Sequence, residues 1–104
     1  MSDDLRGKGA KYDSGKLLAG IVIEDFPRAL TAIAAVATMG AEKYSRSSWQ
    51  DVPEAMTRYA DAMVRHLLAH QTEPVDEESG LLHFEHFAWN VLALLELIKR
   101  HDDA

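Results

Sequence analysis

Apolar positions recur at helical spacing over three long stretches of the chain. Set out at 100° per residue, Phe84, Phe87, Ala88, Val91, Leu92, Leu94, Leu95 and Ile98 fill one wide arc, with Glu85, Glu96 and Arg100 opposite. Ser79 is a good N-cap, and the pattern predicts a helix over 80–101. Before it, Met56, Tyr59, Ala60, Met63, Val64 and Leu67 make a second stripe. Asp51-Val52-Pro53-Glu54 has the form of a capping box, which predicts a helix over 52–71. A third, alanine-rich helix is predicted over 25–40, with Asp25 as its cap, Pro27 in its first turn and Gly40 as its stop. Residues 1–24 show no clear period and read as an irregular arm, with Leu17–Ile23 as a packed extended segment. The fold class is therefore all-α: one domain over 1–104, with three main helices, an irregular N-terminal arm and short connections.

Composition narrows the class. The chain has 104 residues, of which 47% are apolar, which is normal for a globular protein. It has no cysteine, so disulfides and thiolate metal sites are out. With no staple in so short a chain, oligomerisation is the expected compensation. No apolar run approaches the roughly 18 residues that span a membrane, and the polar start MSDDLRGKGAKYDSGK has no signal-peptide character. A cytoplasmic protein is expected. The net charge of −6 argues against general nucleic-acid binding and suits a chain that gathers divalent cations. The charge is uneven, with Lys8, Lys11 and Lys16 near the start and Asp76, Glu77 and Glu78 late in the chain.

Asp76 to Asn90 carries the densest candidate chemistry. His83, His86 and Asn90 fall together on one edge of the apolar arc, a strip that Leu94 and Leu97 continue. Such a strip, with the acids just upstream, can form half of a metal or phosphate site; two half-exposed histidines with ordinary hydrogen bonds would look the same. On the preceding helix, Asp61 and Arg65 share one edge and His66 and His70 the other, so only one of these edges can face that strip unless a second subunit uses the other. GAKYDSGK, Gly9 to Lys16, fails as a P-loop, because five residues separate its glycines and Leu17 follows Lys16. Lys11 and Lys16 remain either phosphate-reaching charges or part of a solvated arm. In GAEKYSRSSW, Gly40 to Trp49, Lys43 can meet a phosphate and an aromatic ring can stack on a base. Alternatively, Tyr44 and Trp49 cover the end of a small core.

Four blocks in this order, GAKYDSGK, GAEKYSRSSW, RYADAMVRH and DEESGLLHFEH followed by an apolar helix, resemble the phage-associated dATP/dGTP diphosphohydrolase N-terminal domain family over about residues 9 to 97. That family is similar to the MazG-like, all-α nucleotide pyrophosphohydrolases, which cleave a nucleoside triphosphate to the monophosphate and pyrophosphate with Mg²⁺ or Mn²⁺. The resemblance implies a MazG-like helical bundle completed by oligomerisation, as a homodimer or homotetramer. It places Lys11, Tyr12, Asp13 and Lys16 near the nucleotide, and brings Glu42, Lys43, Tyr44 and Trp49 to the site. It also brings Asp61, Arg65 and His66, then Asp76, Glu78, His83 and His86. The chain departs from the MazG-like pattern, which binds metal through an E-x-x-E pair and an E-x-x-D pair. Mg²⁺ prefers oxygen ligands, whereas imidazole suits Mn²⁺ or Zn²⁺.

The resemblance implies metal-dependent hydrolysis of a purine deoxynucleoside triphosphate, in a host cytoplasm if the chain is phage-encoded. His83 and His86 would serve as ligands or base, with Arg65, Lys43 or Lys16 offsetting phosphate charge. Asp61, His66, Asp76 and Glu78 would complete the metal shell, and Tyr44, Trp49 and Asn90 would line the nucleotide. The alternative from another class is a non-catalytic helical interaction protein that binds a host protein or a nucleotide. A zinc-stabilised structural domain is a third reading.

Overall fold

Proline sets the first boundary in the computed structural model, which describes residues 15–103. Pro27 disfavours helical backbone at the residue before it, and Phe26 accordingly leaves the helical region at φ −126°, ψ 42°. A short helix α1 (Gly20–Asp25) ends there and α2 (Pro27–Lys43) begins. The apolar run expected to be extended is thus partly helical, and Asp25 closes α1 instead of capping α2. Gly40 does not stop α2, because Ala41, Glu42 and Lys43 are good helix formers that carry it one further turn.

The expected capping box is also replaced. Ser48–Asp51 forms a 3₁₀ turn, and Glu54 precedes α3 (Ala55–His70) in the left-handed region at φ 56°, with no side-chain cap bond. The last helix, α4 (His83–Asp103), starts three residues later than Ser79 capping would place it. Residues 74–83 instead form a loop closed on itself. His83 N–H donates to Pro74 O (2.9 Å), Asp76 N–H to Leu81 O (2.8 Å) and Gly80 N–H to Asp76 O (2.7 Å). Gly80 takes φ +75°, the left-handed conformation this tight return requires.

The architecture is all-α, as expected from the spacing: four helices among the described residues, and only an isolated bridge between Val75 and Leu82. α3 and α4 form the principal pair; α2 packs on α4, α1 on α2, and the 3₁₀ turn on α3. No helix among the described residues is long and apolar enough to cross a membrane.

The buried line on α4 differs from the expected apolar arc. His86 (6% exposed), Asn90 (5%) and Ala93 (5%) are its buried residues, whereas Phe84, Val91, Leu92, Leu95 and Ile98 are exposed. The strip placed at the edge of the arc is therefore the seam against the rest of the fold. About one turn along the α3–α4 pair from His86, an aromatic cluster extends the packing. Trp49 and Trp89 meet edge to face at 6.1 Å, as do Tyr59 and Trp89 at 5.4 Å, and Tyr59 Oη donates to Trp49 O (2.5 Å).

Candidate functional site

Asp76 is the hinge of the site. Its Oδ1 accepts the Glu78 N–H (3.3 Å) and its Oδ2 accepts the Ser79 hydroxyl (3.0 Å), a local turn that Asp favours through its short side chain. Burial alone would raise this carboxyl. The bonds from Ser79 and Glu78, with His86 and His83 nearby, outweigh it and hold Asp76 below the ordinary carboxylate value.

Ser79 carries the network into α4. Its Oγ lies 2.7 Å from His86 Nε2 and also accepts the Leu81 N–H at 3.1 Å. His86 Nε2 is 3.4 Å from Asp76 Oδ2 as well. The His86 ring lies flat against the His66 ring of α3, with centroids 4.6 Å apart and planes 13° from parallel. His66 Nδ1 in turn faces His83 Nδ1 at 3.0 Å. Three imidazoles from two helices thus meet over one loop. Burial lowers the pKa of both His66 and His86; Asp76 opposes this in each case, and neighbouring imidazoles reinforce it.

This settles which edge of α3 meets the strip. The His66 edge does, while Asp61 and Arg65 are exposed on another face. Glu78 turns from Asp76 to pair with Lys43 at the end of α2 (3.2 Å), and this bond raises the Lys43 pKa. The Lys43 ammonium also lies 5.4 Å from the ring centre of Tyr44, which is 72% exposed. The GAEKY and DEESG blocks, 35 residues apart in sequence, are thereby side by side.

Other candidates sit elsewhere. Trp49 is half-buried in the aromatic cluster, with the Arg100 guanidinium 5.4 Å from its ring centre, which matches the core-covering alternative. Asn90 is buried, and its Nδ2 donates to His86 O within its own helix (2.8 Å). Lys16 is exposed at the start of the described chain. Lys11, Tyr12 and Asp13 lie outside the described residues. Sequence reasoning missed Ser79 as the link between Asp76 and His86. The signal was present in the Asp-x-x-Ser spacing followed by glycine, which is read as readily as a helix cap.

Tetrahedral zinc sets two ligand atoms about 3.4 Å apart, whereas two at right angles, each about 2.1 Å from an octahedral metal, stand about 3.0 Å apart. The 3.0 Å between His66 Nδ1 and His83 Nδ1 fits such a pair. Among the described residues no group of three or more His, Asp or Glu forms a ready-made shell. The fit is that of two imidazole nitrogens, leaving further positions to substrate and water oxygens, and it suits Mn²⁺ better than Mg²⁺, which prefers oxygen ligands.

The fold and site define an all-α protein whose polar residues converge on a histidine-lined seam between two helices. The chain belongs to the family described as dATP/dGTP diphosphohydrolase, N-terminal, whose sequence pattern matches residues 6–104. Over 91 residues it is 32% identical to a Salmonella phage PMBT28 protein named dATP/dGTP diphosphohydrolase; the match covers 86% of this chain and 30% of that protein. The chain thus spans under a third of that relative's length. No solved structure matches it.

Proposed function

We propose that the chain hydrolyses a purine deoxynucleoside triphosphate to the monophosphate and pyrophosphate, as a phage-encoded enzyme acting on the cytoplasmic nucleotide pool. The single observation that carries this reading is the His66–His83 pair. Imidazoles facing each other through Nδ1 at 3.0 Å share one hydrogen bond: one Nδ1 donates, the other accepts it with its lone pair, and the donor ring keeps its remaining lone pair on Nε2. That Nε2 lone pair is the base. It can take a proton from a water whose oxygen forms the new bond to the α-phosphorus, while the bond from that phosphorus to the pyrophosphate oxygen breaks.

His66 and His83 would hold a divalent cation such as Mn²⁺ in place of the proton they share, each ring then carrying its proton on Nε2 and acting as ligand instead of base; when bound, the ion supplies positive charge against the phosphate oxygens. Asp76 and His86 stand behind the pair and fix it. Lys43, released from Glu78, offsets phosphate charge, and the exposed Tyr44 offers a face for the base. Arg65 and Asp61, on the other face of α3, take part only if a second copy brings that face to a site. Self-association into a homodimer or homotetramer is supported by the exposed Leu92, Leu95 and Ile98 on α4 and Val64 and Leu68 on α3.

A second reading is kept because no three metal-ligating side chains are grouped among the described residues: a helical module that binds a nucleotide or a protein without turnover. Pyrophosphate release from all four deoxynucleoside triphosphates, with Mg²⁺ and with Mn²⁺, separates the two. Metal-dependent release from dATP or dGTP is expected, reduced at least a hundredfold in a folded His83→Ala variant. No release from any substrate by a well-folded protein would favour the binding module. Melting of the fold by a chelator alone would point to a structural zinc.

A further inference from the structure

Ser79 has three polar neighbours and a single proton. A hydroxyl offers one donor and two acceptor lone pairs. The Asp76 carboxylate, an acceptor only, lies 3.0 Å from Oγ and takes the proton. The Leu81 N–H, a donor only, occupies one lone pair at 3.1 Å. His86 Nε2, at 2.7 Å, is left to donate to the other lone pair. A second acceptor lies behind it, since Asp76 Oδ2 is 3.4 Å from the same nitrogen. Every partner but one has a fixed role, so the tautomer of His86 follows: the proton is on Nε2.

We propose that Ser79 is a positioning residue that, with Asp76, locks His86 as its Nε2–H tautomer and so makes it the fixed floor on which His66 is set against His83. The same count rules out Ser79 as a nucleophile activated by His86, because its proton is committed to Asp76 and its lone pairs to Leu81 and His86. It also divides the three histidines by role. The Nε2 of His86 is spent inward, and its ring is 6% exposed. His66 lies flat on that ring at 4.6 Å and bonds His83 through Nδ1, so the His66–His83 pair is the part left for substrate. An outer partner that fixes ring and tautomer in this way is worth about 10–100-fold in metal affinity or activity at comparable sites. This assignment of roles rests on the proposed function, whereas the hydrogen count does not.

The test reads the ring nitrogens directly, by ¹⁵N NMR of the histidines in the full chain at neutral pH without ligand. The expected pattern for His86 is a protonated, pyrrole-type Nε2 and an unprotonated, pyridine-type Nδ1. Asp76→Asn should invert it. An amide can turn its NH₂ toward Ser79 Oγ, which frees the hydroxyl proton for His86 Nε2 and moves the ring proton to Nδ1. Ser79→Ala removes the anchor and should broaden the His66 and His86 ring signals, and Ser79→Thr, which keeps the hydroxyl, should restore them. In turnover, Ser79→Ala is expected to lower kcat about tenfold with KM within about twofold. A pyridine-type Nε2 in the wild-type protein overturns the lock. An unchanged His66 signal and kcat in Ser79→Ala overturns the positioning role. If the chain releases no pyrophosphate at all, the functional reading fails, while the ring signals of the wild type and both variants still decide the lock.

Discussion

α4 has two faces that invert the usual order of burial. Along the seam it buries His86, Asn90 and Ala93; on its outer side Leu92 is 49% exposed, Leu95 52% and Ile98 44%. Polar side chains are ordinarily outside and branched aliphatics inside. The seam tolerates its polar residues because they find partners: His86 has Ser79 and Asp76, and Asn90 has the His86 carbonyl. A buried polar group so satisfied costs little, whereas an orphaned one costs about 1–3 kcal/mol. The outer face has no such account among the described residues. Hydrogen-bond partners hold the seam polar, and the proposed self-association would cover the leucines of the outer face.

The largest effect should come from that outer face. Leu92→Lys with Leu95→Lys is expected to convert a homodimer or homotetramer to monomers, as read by light scattering after gel filtration. Each leucine buried at an interface contributes roughly 1.5–3 kcal/mol, so the pair should weaken association by about a hundredfold or more. On a face that stays in water, the same changes would move stability by no more than about 0.5 kcal/mol. A wild-type protein that runs as a monomer at high concentration would leave the outer face in water, and a second copy could no longer account for its leucines.

Periodicity revealed that α2, α3 and α4 exist, because a 3.6-residue repeat is a property of each helix alone. It did not reveal which edge each helix turns inward. Phe84, Val91, Leu92, Leu95 and Ile98 form the broadest apolar arc of α4, yet His86 and Asn90 face the fold. The direction is set by α3 and by the Asp76–Gly80 loop, which no pattern within α4 contains. Helix ends differ from the expected ones for a related reason. Asp51 and Ser79 have the chemistry of caps, but Asp51 ends a 3₁₀ turn and the Ser79 hydroxyl is taken by Asp76 and His86. At the site, the Asp76–His86 block and the His66 edge were visible as residue types, and the loop that joins them through Ser79 was not. That Trp49 covers a small core was legible as one of two alternatives; its place beside Tyr59 and Trp89 depends on two helices meeting.

The seam depends on its loop, and Gly80 is where the loop can be loosened without touching a hydrogen-bonding side chain. A Cβ there would meet no atom within 4 Å, so Gly80→Ala tests the backbone alone. Holding a non-glycine residue at φ +75° should cost about 1–2 kcal/mol, read as a lowered urea midpoint. No loss would mean that the loop relaxes to another path, and the Asp76–Ser79–His86 contacts would then be optional for the seam.

Acid should separate the two faces further, because the seam holds His66, His86 and Asp76, whose pKa values folding lowers. Burial keeps His66 and His86 neutral to lower pH in the folded chain than in the unfolded one. Below the ordinary histidine value of about 6.5 the unfolded state therefore binds more protons, and stability falls as pH falls. Above that value the contribution is fully present. Asp76 has the opposite charge but the same direction of loss. Its carboxyl is held below the ordinary value, so its contribution survives until pH drops through the lowered pKa. Thermal melts should be level above about pH 7, decline below about 6.5, and decline again below about 4. A level profile from pH 7.5 to 5 would mean that water reaches the seam histidines and that their burial is not maintained in solution.

Asn90 is the finest probe of why the seam is polar. The strip it belongs to continues as Leu94 and Leu97, both partly buried, so leucine already fits this edge of α4 one turn and two turns on. The side-chain amide of Asn90 donates to His86 O, a carbonyl that the helix ladder already supplies with a backbone partner. Removing the amide therefore leaves no orphaned acceptor. Asn90→Leu should gain a few tenths of a kcal/mol in helix propensity and further apolar burial, against about 1–3 kcal/mol for crowding a close seam. The expected net is a stability within about 1 kcal/mol of wild type, checked by denaturant melts beside the ¹⁵N ring signals of His86. Unchanged stability with a displaced His86 signal would show that Asn90 serves the histidine rather than the fold. A loss beyond about 3 kcal/mol would show the reverse: the seam needs Asn90 in order to pack at all, and its polarity is structural at this position, in contrast to the loop end, where Ser79 and Asp76 hold a ring.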